Sequence, residues 1–307
     1  MADVTINYLT GQAPTTSDVF PFSTTGVTPS TYKATLAQIK TALAIPAAQV
    51  NSDWNVTSGV AQILNKPNIP IPVAMDVLVV GGGGSGGGGY LDQCGAGGAG
   101  GLINYTNYNM YPGTYYVTVG AGGYSTGGSY SRSNGQDSSI DGGSPHINIT
   151  AIGGGAGAAA RSQGGNSGGS GGGGGDFGGP GGSAKFGQGN NGGSVAGGGE
   201  CPGGGGGAGG AGTGSCTGGA GLAISITGSS VTYAAGATAG VWTRPSDANT
   251  GSGGGGAGTS AFTSGAAGVV IFAYQGTGKA SGGTVSTTSR TGWTVHTFTA
   301  NGIFTVN

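Results

Sequence analysis

The sequence predicts a mainly β protein, on three observations. Short β-branched and aromatic runs recur between Gly, Pro and Asn, as at residues 77–80 (VLVV), 114–119 (TYYVTV) and 269–274 (VVIFAY), which is the composition of a pleated, half-buried strand. Glycine supplies 78 of the 307 residues and dominates positions 81–258. Within that field the other side chains often return every third residue: Ala96, Ala99, Leu102; Pro180, Ser183, Phe186; Ala208, Ala211. A polyproline-II-like helix has about three residues per turn and no internal hydrogen bonds, so bare main chains of this kind can bond sideways to one another. Finally, only 6% of the chain is charged and the formal net charge is −1, whereas disorder usually accompanies high net charge.

Each ordered glycine costs roughly 0.5–1 kcal/mol more backbone entropy than alanine. The field is therefore either a flexible coil, as Gly/Ser linkers are, or a set of backbones packed and bonded together; the three-residue spacing favours packing. Collagen is disfavoured because Gly-Gly pairs break the Gly-X-Y period and Pro is only 12. The expected architecture is an N-terminal β-hairpin plus a short helix (1–46), a short trimeric shaft with a Pro-rich joint (47–75), and a β-sandwich-like tip (76–307). In that tip, glycine-rich loops pack as polyglycine-II-type helices.

Taken in order, residues 16–22 and 30–35 read as two strands broken at Thr25-Gly26. Thr35 can cap a helix that puts Leu36, Ile39 and Leu43 on one face before Pro46 ends it. The order Asp18-Val19-Phe20-Pro21-Phe22, a gap with Gly26, then Tyr32-Lys33-Ala34-Thr35-Leu36-Ala37-Gln38-Ile39 resembles the N-terminal attachment module of tailed-phage fibre proteins. Residues 49–67 contain VNSDWN and SGVAQILNKP, similar to a recurrent shaft segment of trimeric tail fibres. Trp54, Val60, Ile63 and Leu64 are more apolar surface than so short a segment hides alone; burial at about 1.5–3 kcal/mol per side chain against two further copies would hold a shaft.

Strands are expected at 76–80, 114–119, 147–152, 223–227, 231–233 and 268–274, with turns at Pro112-Gly113 and Gly228-Ser229. At the C-terminus, residues 293–300 and 303–307 flank Asn301-Gly302, which favours a type I′ hairpin with Phe298 near Thr305 and Thr299 near Phe304. The pieces VLVVGGGG (77–84), GAGGLINYTNYNMYPGTYYVTVGAGG (98–123), ITAIGGGAG (149–157) and GWTVHTFTANGIFTV (292–306) resemble the glycine-rich domain found at the tips of phage tail fibres and in large bacterial surface proteins. The resemblance implies a receptor-binding tip and names no receptor.

Several classes are disfavoured. The 9 basic residues are scattered, whereas phosphate binding needs clustered Lys and Arg, so no nucleic-acid partner is expected. GxGxxG recurs by chance, Gly276-Thr277-Gly278-Lys279-Ala280 lacks the P-loop Ser/Thr, and no His/Cys/Asp set has metal spacing. No cofactor and no catalysis is expected. His296 reads as a partly exposed strand residue. Cys201 and Cys216 bracket one glycine loop at a spacing open to pairing; the reading favoured is three free thiols, with Cys94, in a reducing cytosol.

The N-terminus reads as lacking an export signal, while the Gly/Ser/Thr/Tyr/Asn usage is extracellular in style. A virion protein assembled in the host cytoplasm reconciles the two. The expected partners are two more copies of the chain, other virion tail or fibre proteins through residues 1–46, and a host surface glycan or outer-membrane protein. Candidate contacts are the non-glycine exceptions Tyr90, Asp92, Tyr130, Arg132, Asp176, Phe177, Lys185, Phe186, Glu200, Trp242 and Arg244, for which local packing is the competing reading. A structural fibre or decoration protein without a receptor is the alternative. Glycine loops are also expected to accept exchange of residues 84–100 or 164–210 with little effect on melting.

Overall fold

A computed structural model describes residues 19–22, 32–35, 70–89, 94–125, 131–198, 201–240, 248–256 and 264–307. The chain divides into two compact units, Met1–Ile69 and Pro70–Asn307. In the first unit, β1 (Val19–Phe22) pairs antiparallel with β2 (Tyr32–Thr35), Val19 opposite Thr35 and Phe22 opposite Tyr32. This is the expected N-terminal strand pair. The expected helix after Thr35 and the shaft residues Trp54, Val60, Ile63 and Leu64 lie outside the described residues.

The described part of the second unit is mainly β, without helices. Its strands are β3 (Val73–Val80), β4 (Leu102–Met110), β5 (Gly113–Thr118), β6 (Ser138–Gly142), β7 (Ile147–Ala151), β8 (Leu222–Ile224), β9 (Val231–Tyr233), β10 (Val269–Gln275), β11 (Ala280–Ser281), β12 (Thr284–Ser286), β13 (Trp293–Phe298) and β14 (Gly302–Val306). Two five-stranded antiparallel sheets form, ordered β12-β13-β10-β3-β4 and β11-β14-β5-β6-β7. They share one core, in which Met75, Val77 and Phe272 of the first sheet meet Tyr115, Ile140 and Phe304 of the second. The Phe272 and Phe304 rings stack at 3.9 Å.

The central strands β3 and β10 are buried on both faces. Leu78, Val80, Ile271 and Ala273 point away from the sandwich core and are covered by Ile226, Tyr233 and Ala234 around the β8–β9 hairpin, and by Ala99 and Leu102. This explains why both strands read as unbroken apolar runs rather than as alternations. As expected, Gly228 turns the chain between β8 and β9, its N–H donating to Ser225 O at 2.9 Å.

The C-terminal hairpin does not form. β13 belongs to the first sheet and β14 to the second, where it pairs with β5. Neither Asn301 nor Gly302 has the positive φ that a type I′ turn requires. Asn301 Oδ1 instead accepts the Val119 N–H at 2.9 Å, and the chain crosses between sheets. Phe298 and Phe304 then meet across the core at 6.2 Å, since both rings need burial and only opposed sheets supply it. His296, expected partly exposed, is 1% exposed. Its Nδ1 lies 2.7 Å from Gly282 O and its Nε2 3.3 Å from Tyr274 Oη.

Beyond the sandwich the strands run on as glycine. β3 continues into 81–88, β5 into 119–125 and β7 into 152–158, while 95–101, 131–137 and 264–268 lead into β4, β6 and β10. The hydrogen bonds there return to the same neighbour every third residue. Gly81, Gly84 and Gly87 donate to the carbonyls of Gly101, Gly98 and Gly95, while Gly82 and Ser85 donate to Gln136 and Ser133.

Every N–H from Gly95 to Gly101 is bonded, and three neighbouring segments share them in rotation. Gly95, Gly98 and Gly101 donate to Ala158, Gly155 and Ile152; Ala96 and Ala99 donate to Gly203 and Gly206; Gly97 and Gly100 donate to Gly254 and Gly251. The same segment accepts from residues 81–87, from Ser170 and Gly173, and from Ala237, so it is surrounded on all sides by main chain.

Stacked sheets stand about 10 Å apart because side chains fill the gap. Here the continuation of β3 bonds directly to that of β6 from the opposite sheet, Gly82 N to Gln136 O at 2.9 Å. Without side chains the two sheets close to hydrogen-bonding distance. A Cβ built on Gly98, Gly173 or Gly205 would come closer than 3.0 Å to a neighbouring carbonyl oxygen. This overturns the expectation that residues 84–100 or 164–210 can be exchanged freely: most of these glycines form a core, and only the turns between segments are open.

Candidate functional site

The glycine segments run between the sandwich and a distal rim. Segments 152–158 and 170–175 lead away from the sandwich and end in turns at 159–162 and 176–178. The two turns are joined there, with Ser162 N donating to Asp176 O at 2.7 Å and Ser162 Oγ to Phe177 O at 2.8 Å. Cys201 and Cys216 form a disulfide, Cα–Cα 5.5 Å, which corrects the reading of three free thiols. Cys94 stays outside that bond and is buried, its Sγ 3.6 Å from Ala159 O.

Of the sequence-derived candidates, Asp176 and Phe177 share the distal turn. Arg132 is committed internally: its Nη1 donates to Gly157 O at 3.1 Å and Gly164 O at 2.8 Å, and burial pushes its guanidinium below the usual value. Lys185 and Phe186 lie at the other end, in the turn beside the sandwich. There Gln188 accepts from Leu102 N and Ile152 N and donates to Thr150 O. Phe186 is 98% exposed. Tyr90, Asp92, Tyr130, Glu200, Trp242 and Arg244 lie outside the described residues.

Arg161 completes the distal cluster and was missed from the sequence. Its Cζ sits 3.7 Å from the Phe177 ring centroid and its Nε 3.7 Å from Asp176 Oδ1. The available signal was that Arg161 is the only Lys, Arg, Asp or Glu between Asp141 and Asp176. Its side chain is 53% exposed, whereas that of Asp176 is 4% exposed. Burial pushes the Asp176 carboxyl above the usual range, and Arg161 opposes that shift. Asp176 Oδ1 has no hydrogen-bond partner. Phe177 holds φ +56°, a left-handed conformation that costs a residue with a Cβ roughly 1–2 kcal/mol.

A similar trio stands at the far end of the sandwich, in a closed form. Arg290 Nη1 meets Asp76 Oδ2 at 2.8 Å, its Cζ lies 3.4 Å over the Trp293 ring, and Asp76 Oδ1 also accepts from Asn107 N at 3.1 Å. Its charges are satisfied locally. Among the described residues no three His, Cys, Asp or Glu side chains gather as a metal site.

Together these features define a β-sandwich that ends in a main-chain-bonded glycine bundle. The model of the glycine-rich domain family matches residues 65–275, more than half of the chain, and the protein belongs to that family. No curated protein and no solved structure matches it.

Proposed function

We propose that the protein is the attachment fibre of a tailed phage, a homotrimer that joins the virion through residues 1–46 and holds its glycine-rich tip outward on the shaft of residues 47–75. The distal rim then contacts a host surface glycan or outer-membrane protein. The observation that carries this reading is the three-residue hydrogen-bond period of the glycine bundle, which supports polyglycine-II-type packing. Such a bundle is rigid without side chains, and rigid scaffolds are where recognition turns are carried. The trimer and the virion address rest on the resemblance of residues 18–39 and 49–67 to fibre proteins. The action is non-covalent adhesion: weak single sites become strong when several copies engage one surface.

The test is adsorption competition with the purified full chain, together with its mass in solution. A trimer that slows phage adsorption supports the reading. A trimer that binds virions and leaves adsorption unchanged supports a structural fibre or decoration protein instead, and a monomer contradicts the shaft.

A further inference from the structure

We propose that Arg161, Asp176 and Phe177 form a subsite for a sugar bearing a carboxylate or phosphate group; the assignment rests on the attachment reading above. Among the described residues, the terminal nitrogens of Arg161 make no hydrogen bond, and its one ion pair is the long contact through Nε. With the side chain 53% exposed, the Nη edge is left for a carboxylate or phosphate, which a guanidinium takes bidentately. Phe177 beneath it is 40% exposed and offers apolar area to the C–H face of a sugar ring.

Asp176 is the positioning residue. Its buried Oδ1 has no hydrogen-bond partner and faces Nε, so it holds the guanidinium by charge without occupying the Nη edge. Phe177 occupies a left-handed position beside Gly178, φ +92°, and is one of six non-glycine residues with positive φ among the described residues. The trio Asp76–Arg290–Trp293 shows the contrast: there the carboxylate bonds a terminal nitrogen directly, Nη1 to Asp76 Oδ2 at 2.8 Å, and the arginine side chain is only 25% exposed.

The experiment titrates the full chain with a uronic-acid oligosaccharide, the same oligosaccharide reduced to its neutral alcohol, and a sugar phosphate. The expected result is binding of one or both anionic sugars, no binding of the neutral one, and a loss of about 10-fold or more in Arg161→Gln, as for a charged hydrogen bond. The two anionic arms separate capsule-type carboxylates from phosphorylated core sugars. Phe177→Gly, which relieves the backbone, should weaken binding without lowering the melting temperature, and Phe186→Gly should change nothing. Equal binding of the neutral sugar, or unchanged binding by Arg161→Gln, overturns the subsite. If the chain blocks adsorption yet binds none of the sugars, the subsite falls and the attachment reading stands. If it binds anionic sugars through Arg161 but does not block adsorption, the reverse holds.

Discussion

The chain that forms β3 is stabilised in two different ways along its length. From Val77 to Val80 it buries side chains, all fully enclosed. From Gly81 onward it buries main chain, bonded to 95–101 on one side and 131–136 on another. In the sandwich half a substitution removes volume and leaves a cavity. In the glycine half almost any substitution adds volume where a carbonyl already sits.

The contrast is broken or sharpened first by a matched pair. Phe272→Ala, at the stacked centre of the sandwich, should cost about 4 kcal/mol through lost transfer energy and a cavity. Gly98→Ala should cost about 3 kcal/mol by the opposite route, overpacking, although alanine ordinarily has the lower entropy cost. Gly197→Ala, where a Cβ meets nothing within 4 Å, should stay within about 0.5 kcal/mol of the parent. Urea denaturation of the three reads all of this. If Gly98→Ala melts like Gly197→Ala, the main-chain core is wrong.

The same division explains what was legible in the sequence. The runs at 77–80, 231–233 and 269–274 name their strands because packing is done by their own side chains. β4 was not anticipated: LINYTNYNM lies at a sheet edge and carries Asn, Thr and Tyr toward solvent, so it lacks the apolar signal. Asn301-Gly302 misled because its local preference for a hairpin lost to the burial of Phe298 and Phe304 across the core. The spacing of three at Ala96, Ala99 and Leu102 was readable, since Ala96 and Ala99 both donate to the 203–206 segment. Arg161 stands out in the sequence only as the lone Lys, Arg, Asp or Glu between Asp141 and Asp176; nothing in its neighbours announces that the 159–162 turn meets the 176–178 turn.

The disulfide tests how far the glycine segments depend on covalent closure. It spans a sequence separation of 15, for which loop-closure entropy gives about 3 kcal/mol. Cys201→Ser with Cys216→Ser, or reductant on the parent protein, should lower the melting temperature of the tip. An unchanged melt would mean that the main-chain hydrogen bonds around residues 201–216 hold that loop without the covalent link.

The smallest effect concerns Asp176, the one buried carboxylate among the described residues with an unpartnered oxygen. Burial raises its carboxyl in the folded protein, so the folded state binds the proton more tightly than the unfolded state does. Its contribution to stability is fully present below the ordinary value of 3.8 and is lost as pH rises through the raised folded value. Above that point the charged side chain is a burden that Arg161 only partly offsets. Asp176→Asn should therefore be more stable than the parent at neutral pH, by about 0.5 kcal/mol, with the two curves converging in acid. Thermal melts between neutral and acid pH decide it. A variant less stable at neutral pH would mean that the pairing with Arg161 outweighs the cost of burial, and that the cluster is structural glue of the same kind as Asp76, Arg290 and Trp293.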